Sequence, residues 1–229
     1  MSAGSPPAPA AGAGLRTPRA AAVAGILFSL LFMTALVLTR SSVPIDPLER
    51  GEWLQGDATR IVLAQNLVPF SGIAFLWFMG VLRARMANLE DRFFATVFLG
   101  SGLLFLAMLF AGMGAIGAIL LVYGGHPEAV APGGAFAIAR ALTFTVVNVY
   151  AVKMAGVFMF VTSTIAIKTR LVARWIAGLG YVLGVALLLG SGFTRWSMMA
   201  FPVWVLIVSI YILIDNLRPS PQVATTAGG

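Results

Sequence analysis

The stretch AAAVAGILFSLLFMTALVLT (residues 20–39) holds twenty residues without a charge, closed at its ends by Arg19 and Arg40. At about 1.5 Å per residue, a helix of that length matches the roughly 30 Å hydrocarbon core of a bilayer. Its apolar character is continuous rather than alternating, which fits a membrane helix and not a strand of a membrane barrel. A cleavable leader has a shorter apolar core and a small-residue cleavage site, and TALVLTRSS is a poor match to one, so an uncleaved first helix is expected.

Five further runs repeat the pattern, at about residues 61–82, 94–123, 141–167, 172–190 and 196–214. The expected fold class is therefore all-α, a polytopic transmembrane bundle of six helices filling residues 20–214. Residues 1–19 are rich in proline, alanine and glycine and 215–229 are polar, and both are expected to be disordered tails. Asp57 is placed to start the second helix, and Pro69 and Pro202 are expected to free the carbonyls of Gln65 and Met198. In the connection PIDPLERGEWLQ (44–55), Asp46 and Pro47 predict a short surface helix anchored by Leu48, Trp53 and Leu54.

Composition agrees. Of 229 residues, 59% are hydrophobic and 10% charged, with mean hydropathy +0.95. Soluble domains carry about 25% charged residues, which excludes a water-soluble enzyme. The formal charge of +7 resides in residues at the ends of apolar runs, where it faces lipid headgroups rather than nucleic acid. Thirteen arginines and abundant alanine suggest a high-GC bacterial genome.

Basic residues set the expected orientation, because cytoplasmic loops are enriched in them. With the N-terminus inside, the inner segments hold nine (Arg16, Arg19, Arg83, Arg85, Arg92, Lys168, Arg170, Arg174, Arg218). The outer segments hold five (Arg40, Arg50, Arg60, Arg140, Arg195). Both termini are accordingly expected in the cytoplasm, with the protein in a bacterial inner membrane. Trp175 and Trp196 fall at helix ends, where interfacial aromatics belong.

The sequence offers little chemistry. It has no cysteine and one histidine, His126, so thiolate nucleophiles, cysteine-ligated metals and multi-histidine cages are excluded. It contains no phosphate-binding glycine loop, H-E-x-x-H or G-x-S-x-G elbow, and no span contains an aspartate for intramembrane proteolysis. No cofactor or metal is called for. The repeated tetrapeptide LGSG (99–102 and 189–192) is read as coincidence in a chain with 25 glycines.

Lys153 is the one charge far from the ends of an expected span. A lysine near the bilayer midplane costs about 2.5–3.5 kcal/mol or more, which makes it a functional candidate by default. Gln65, Asn66, Thr145 and Asn148 are candidates to line an outward-facing polar vestibule with Lys153 at its floor, suited to an anion or a polar headgroup. Against this stand two plainer readings. The polar side chains bond between helices, or the fourth helix starts near Ala135, tilts, and presents Lys153 and Arg140 to a wet fold with no transport role. Gly112 and Gly114, with the strict G-x-x-x-G of Gly180 and Gly184, are expected to serve helix packing, within the bundle rather than in a dimer.

The run from Asn66 to Gly112 (NLVPFSGIAFLWFMGVLRARMANLEDRFFATVFLGSGLLFLAMLFAG) resembles uncharacterised multi-helix membrane proteins of high-GC bacteria. The resemblance implies a membrane location and no activity. The function expected first is a non-catalytic structural or accessory component of a membrane assembly, with the bilayer and other membrane subunits as partners. The alternatives are a small transporter or channel subunit handling an anionic or polar solute near Lys153, and a lipid-modifying enzyme using His126 and Glu128. Reporter fusions after Arg92 and after Leu217 are predicted to score as cytoplasmic and one at Gly125 as external. An external C-terminus would overturn the six-span topology.

Overall fold

A computed structural model describes residues 17–44, 46, 53–86, 92–124, 134–169, 172–190 and 196–217. Among them every element is helical. In chain order the α-helices are α1 (Thr17–Ser42), α2 (Trp53–Gly56), α3 (Ala58–Met86), α4 (Arg92–Tyr123), α5 (Ala135–Thr145), α6 (Val152–Thr169), α7 (Arg174–Leu189) and α8 (Ala200–Leu217). A π-helical turn, Val146–Ala151, joins α5 to α6, so 135–169 is one continuous rod of 35 residues. Five rods are long and apolar enough to cross a bilayer, and the architecture is that of a multi-pass helical membrane protein. The sixth apolar helix, α7, has 16 residues. Its length of about 24 Å falls some 6 Å short of the hydrocarbon core, a mismatch that local thinning and interfacial flanks accommodate. Exposed Trp175 stands at its start, and exposed Trp196 shortly beyond its end.

Several boundaries differ from the sequence expectation, for physical reasons. The fourth rod starts at Ala135, six residues before 141, because Arg140 is buried inside the fold instead of marking a lipid boundary. Helices α1, α3 and α4 run beyond the expected spans, since helical hydrogen bonding continues past the hydrocarbon edge until a breaker intervenes. Pro202 lies in the first turn of α8, which begins only after the 3₁₀ turn Ser197–Met199, so its missing N–H costs no helical bond. Pro69, by contrast, is interior to α3. Of the expected tails, Thr17–Arg19 and Asp215–Leu217 are helical, and the remainder lies outside the described residues.

Hydroxyls inside the rods are satisfied mostly within their own helix. Ser29 donates to the Gly25 carbonyl, Thr34 to Leu30 and Thr39 to Ala35, each at 2.8 Å. In hydrocarbon, where an unmet hydroxyl is costly, this back-bonding is the available local solution.

The core is a cluster of phenylalanines drawn from five helices. Phe75 of α3 lies 4.7 Å from Phe28 (α1), 5.1 Å from Phe158 (α6), and 5.6 Å from both Phe105 (α4) and Phe201 (α8), centroid to centroid. All five rings are fully buried. Most of the pairs are tilted or edge-to-face, the arrangement that ring quadrupoles favour. Helix α7 joins the bundle differently. A Cβ on Gly184 would stand 2.9 Å from the Gly156 carbonyl oxygen, and one on Gly156 would stand 2.8 Å from that of Gly184, so the backbones of α6 and α7 touch. Gly180 lies against Ser163 and Trp204, and the Trp204 indole donates to the Ile176 carbonyl at 3.2 Å. Gly112 faces Val147 of the π turn, whereas Gly114 has open space where a side chain would be.

Phe75→Ala should remove the ring shared by four neighbouring helices and destabilise the bundle by about 3–5 kcal/mol. Trp77→Phe, on the exposed face of the same helix, should change stability by less than about 0.5 kcal/mol. Thermal unfolding of both variants in one detergent checks the contrast.

Candidate functional site

The polar side chains singled out in the sequence do not converge on one vestibule. Gln65 donates through Nε2 to the Met113 carbonyl at 3.0 Å, tying α3 to α4, and it lies in the space left open by Gly117. Asn66 is exposed and donates to Val62 of its own helix. Thr145 likewise bonds back to Ala141. Lys153 sits eighteen residues after Ala135 and sixteen before Thr169, at the middle of its rod. It is half-buried on a stripe with Tyr150, Val157 and Phe160, lines none of the cavities described below, and has no hydrogen bond or ion pair among the described residues.

Asn148 is placed otherwise. It belongs to the π turn, where its Nδ2 donates to the Phe144 carbonyl at 3.0 Å and its Oδ1 accepts a hydrogen bond from Arg40 Nη2. Arg40 ends α1, the terminus where the helix dipole favours a cation. Beside it stands Arg140, only 6% exposed, whose Nη2 donates to the carbonyls of Pro44 (2.7 Å) and Asp46 (3.0 Å). Its guanidinium carbon also lies 4.9 Å from the centre of the Trp53 ring, a cation–π contact. Trp53 and Leu54, expected as surface anchors, are buried in the core instead, with Trp53 beneath this arginine. Residues 45 and 47–52 of the expected surface helix lie outside the described residues, as do His126 and Glu128.

These groups surround a cavity of about 70 Å³ at the end of the bundle where α1 finishes and α5 begins. Its wall carries Arg40, Arg140, Asn148, Thr39 and Thr143, and its apolar floor includes Phe32 and Met113. No carboxylate lines it among the described residues. A second opening, between α3 and α4, touches Gln65 and Pro69 and is otherwise apolar. Among the described residues no cluster of His, Asp or Glu is suited to hold a metal ion.

The arginines are what sequence reading missed. Arg40 counts there only as a topology marker, and Arg140 only as that or as a charge at a wet fold beside Lys153, although the same count assigns both to one side of the membrane. That shared side was a usable signal, while the burial of Arg140 had none, because the carbonyls that hold it lie 94 and 96 residues away in sequence. Compared with known proteins, the chain matches no family model, no curated protein and no solved structure. The functional argument therefore rests on geometry.

Arg140→Met should leave two main-chain carbonyls without their donor and lower stability by about 1–3 kcal/mol. The segment around Asp46 should also become more susceptible to limited proteolysis. An unchanged cleavage pattern would show that Arg140 does not hold this connection in place.

Proposed function

We propose that the protein is a structural or accessory component of a membrane assembly in a bacterial inner membrane, with both termini cytoplasmic. The observation that carries the reading is Lys153, a mid-rod cation on a half-exposed face without a partner among the described residues. A charge at that depth is costly unless it is paired. All eight acidic residues of this chain lie between or at the ends of the apolar runs, so a second copy would bring no carboxylate to the same depth and would add a second lysine. The fitting occupant is a transmembrane helix of a different chain, carrying a carboxylate or another strong acceptor near its middle. Tyr150, Val157 and Phe160 flank the lysine at helical spacing and supply apolar surface for that helix.

A photo-crosslinking side chain placed at Tyr150 or Val157, in native membranes, tests this. A discrete protein adduct is expected, lost in Lys153→Met and retained in Lys153→Arg. The isolated Lys153→Met protein should be at least as stable in detergent as the parent, since the substitution removes a buried charge. Adducts to lipid alone, or a protein adduct indifferent to Lys153→Met, would refute the reading.

A further inference from the structure

A groove on the outer surface of α1 and α3 shares no lining residue with the arginine cavity and does not include Lys153. Its shape follows from residue size. Ala20, Ala24, Leu27 and Leu31 recur at helical spacing along α1, and Phe70, Ala74 and Trp77 do so along α3. Buried Ala24 and Ala74 form the floor, where a methyl group leaves room, while exposed Leu27, Phe70 and Trp77 stand at the rims. The groove holds about 730 Å³, within the roughly 300–1,000 Å³ of small-molecule sites. Apart from the Trp77 indole N–H, no lining side chain carries a charge or a hydrogen-bonding group. Its contents must therefore be hydrocarbon.

Depth and charge narrow the class. The two helices run antiparallel, with Phe28 4.7 Å from Phe75 and Gly25 against Phe78. Leu31 follows Ala20 by eleven residues, a rise of about 16 Å, which is about half of the roughly 30 Å hydrocarbon core. Because the uncharged run 20–39 is centred near residue 30, the groove opens at the membrane edge beside the start of α1 and stops near the midplane. A transmembrane helix, from a second copy or from another chain, would call for a seam through both leaflets. One acyl chain ends where this groove ends. At the mouth, Arg19 lies in the first turn of α1, and Arg83, which is exposed, and Arg85 lie in the last turn of α3. The sequence segments flanking the rods on this side hold the nine basic residues counted above against three acidic ones, Glu90, Asp91 and Asp215. Such a cluster favours an anionic headgroup over a zwitterionic one.

We infer that this groove is a binding site for an anionic phospholipid of the leaflet beside the start of α1. One acyl chain lies along Leu27, Phe70 and Trp77, and the headgroup phosphate sits among the arginines at the ends of α1 and α3. The site is independent of the Lys153 face and stands or falls separately from it.

The experiment uses the full chain reconstituted in phosphatidylcholine vesicles, with tryptophan fluorescence titrated against phospholipid brominated at mid-chain, which quenches an indole on contact. One series uses brominated phosphatidylglycerol, and a second uses brominated phosphatidylcholine with the same chains. Subtracting the signal of Trp77→Phe, a substitution on an exposed face, isolates the groove. The expected result is Trp77-dependent quenching by both lipids, with phosphatidylglycerol preferred at least about threefold. Arg83→Gln combined with Arg85→Gln should bring that preference towards one. Raising the salt should do the same for the parent protein, with no substitution at all. Ala20→Phe, which fills the exposed mouth of the groove, should remove the preference although every arginine remains. Equal quenching by the two lipids in the parent protein would overturn the proposal, because it describes ordinary boundary lipid. A preference unchanged in the double arginine variant and at high salt, or unchanged in Ala20→Phe, would overturn it as well. Absence of Trp77-dependent quenching by either lipid would mean that a second copy of the chain covers the groove, and would likewise refute a lipid site.

Discussion

Five helices of this protein meet at one aromatic ring. Phe75 stands within ring-contact distance of phenylalanines from α1, α4, α6 and α8, and Phe201 of α8 meets rings from α1, α3, α4 and α6 in the same way. In lipid the usual hydrophobic driving force between helices is absent, because the tails are as apolar as the side chains. Cohesion then depends on shape, on dispersion and on the few polar contacts that bridge helices. A buried phenylalanine cluster supplies the first two, since interlocking rings fill space that disordered acyl chains fill less well. The interhelical contacts of Gln65 and Trp204, and the arginine clamp, add direction around it.

Around that centre the chain uses two different means of bringing helices together. At the aromatic cluster, large rings fill the space between rods. The α6–α7 pair instead has backbone against backbone at Gly156 and Gly184, which suits a short helix with little side-chain surface to offer. Close approach of this kind favours weak Cα–H···O contacts and many dispersion contacts over a small area. Only the second of these two means is visible in the sequence, and only in part. The small residues of α7 stand out as a G-x-x-x-G, but nothing local marks Gly156 as their counterpart.

What the sequence conveys about the fold follows the same division between local and distant causes. Continuous apolar runs identify the rods, because length and hydropathy are local properties and the bilayer thickness is fixed. Helix ends are less legible, since a helix persists into the interface until a cap or proline stops it. For the fourth rod the sequence supports two starts, near 141 and near Ala135, and the structure has the second. Arg140 looks like the end of an apolar run, yet it is satisfied by carbonyls of the first connection, far away in sequence. The candidate site suffers from the same difficulty. Polarity at Gln65, Asn66, Thr145 and Asn148 is plain in the sequence, but whether each turns to its own helix, to a neighbour or to a cavity depends on packing. Of these four, Asn148 alone lines the arginine cavity, and its charged neighbours there, Arg40 and Arg140, look in the sequence like charges at the ends of apolar runs.

The π turn at Val146–Ala151 has a consequence for how this rod divides its labour. An α-helix turns about 100° per residue, so a single residue accommodated by a wider turn rotates everything downstream by about that angle. Arg140 and Asn148 lie on one side of this insertion or within it, and Lys153 lies just beyond it. The rod therefore behaves as two helical segments set out of phase, one directed at the arginine cavity and the other free to present its lysine elsewhere. Loss of one residue from the turn would restore a regular helix and bring the lysine stripe round with respect to the cavity wall. The length of this segment, more than the identity of its residues, thus keeps a polar interior and a charged exterior on the same rod from competing for the same face.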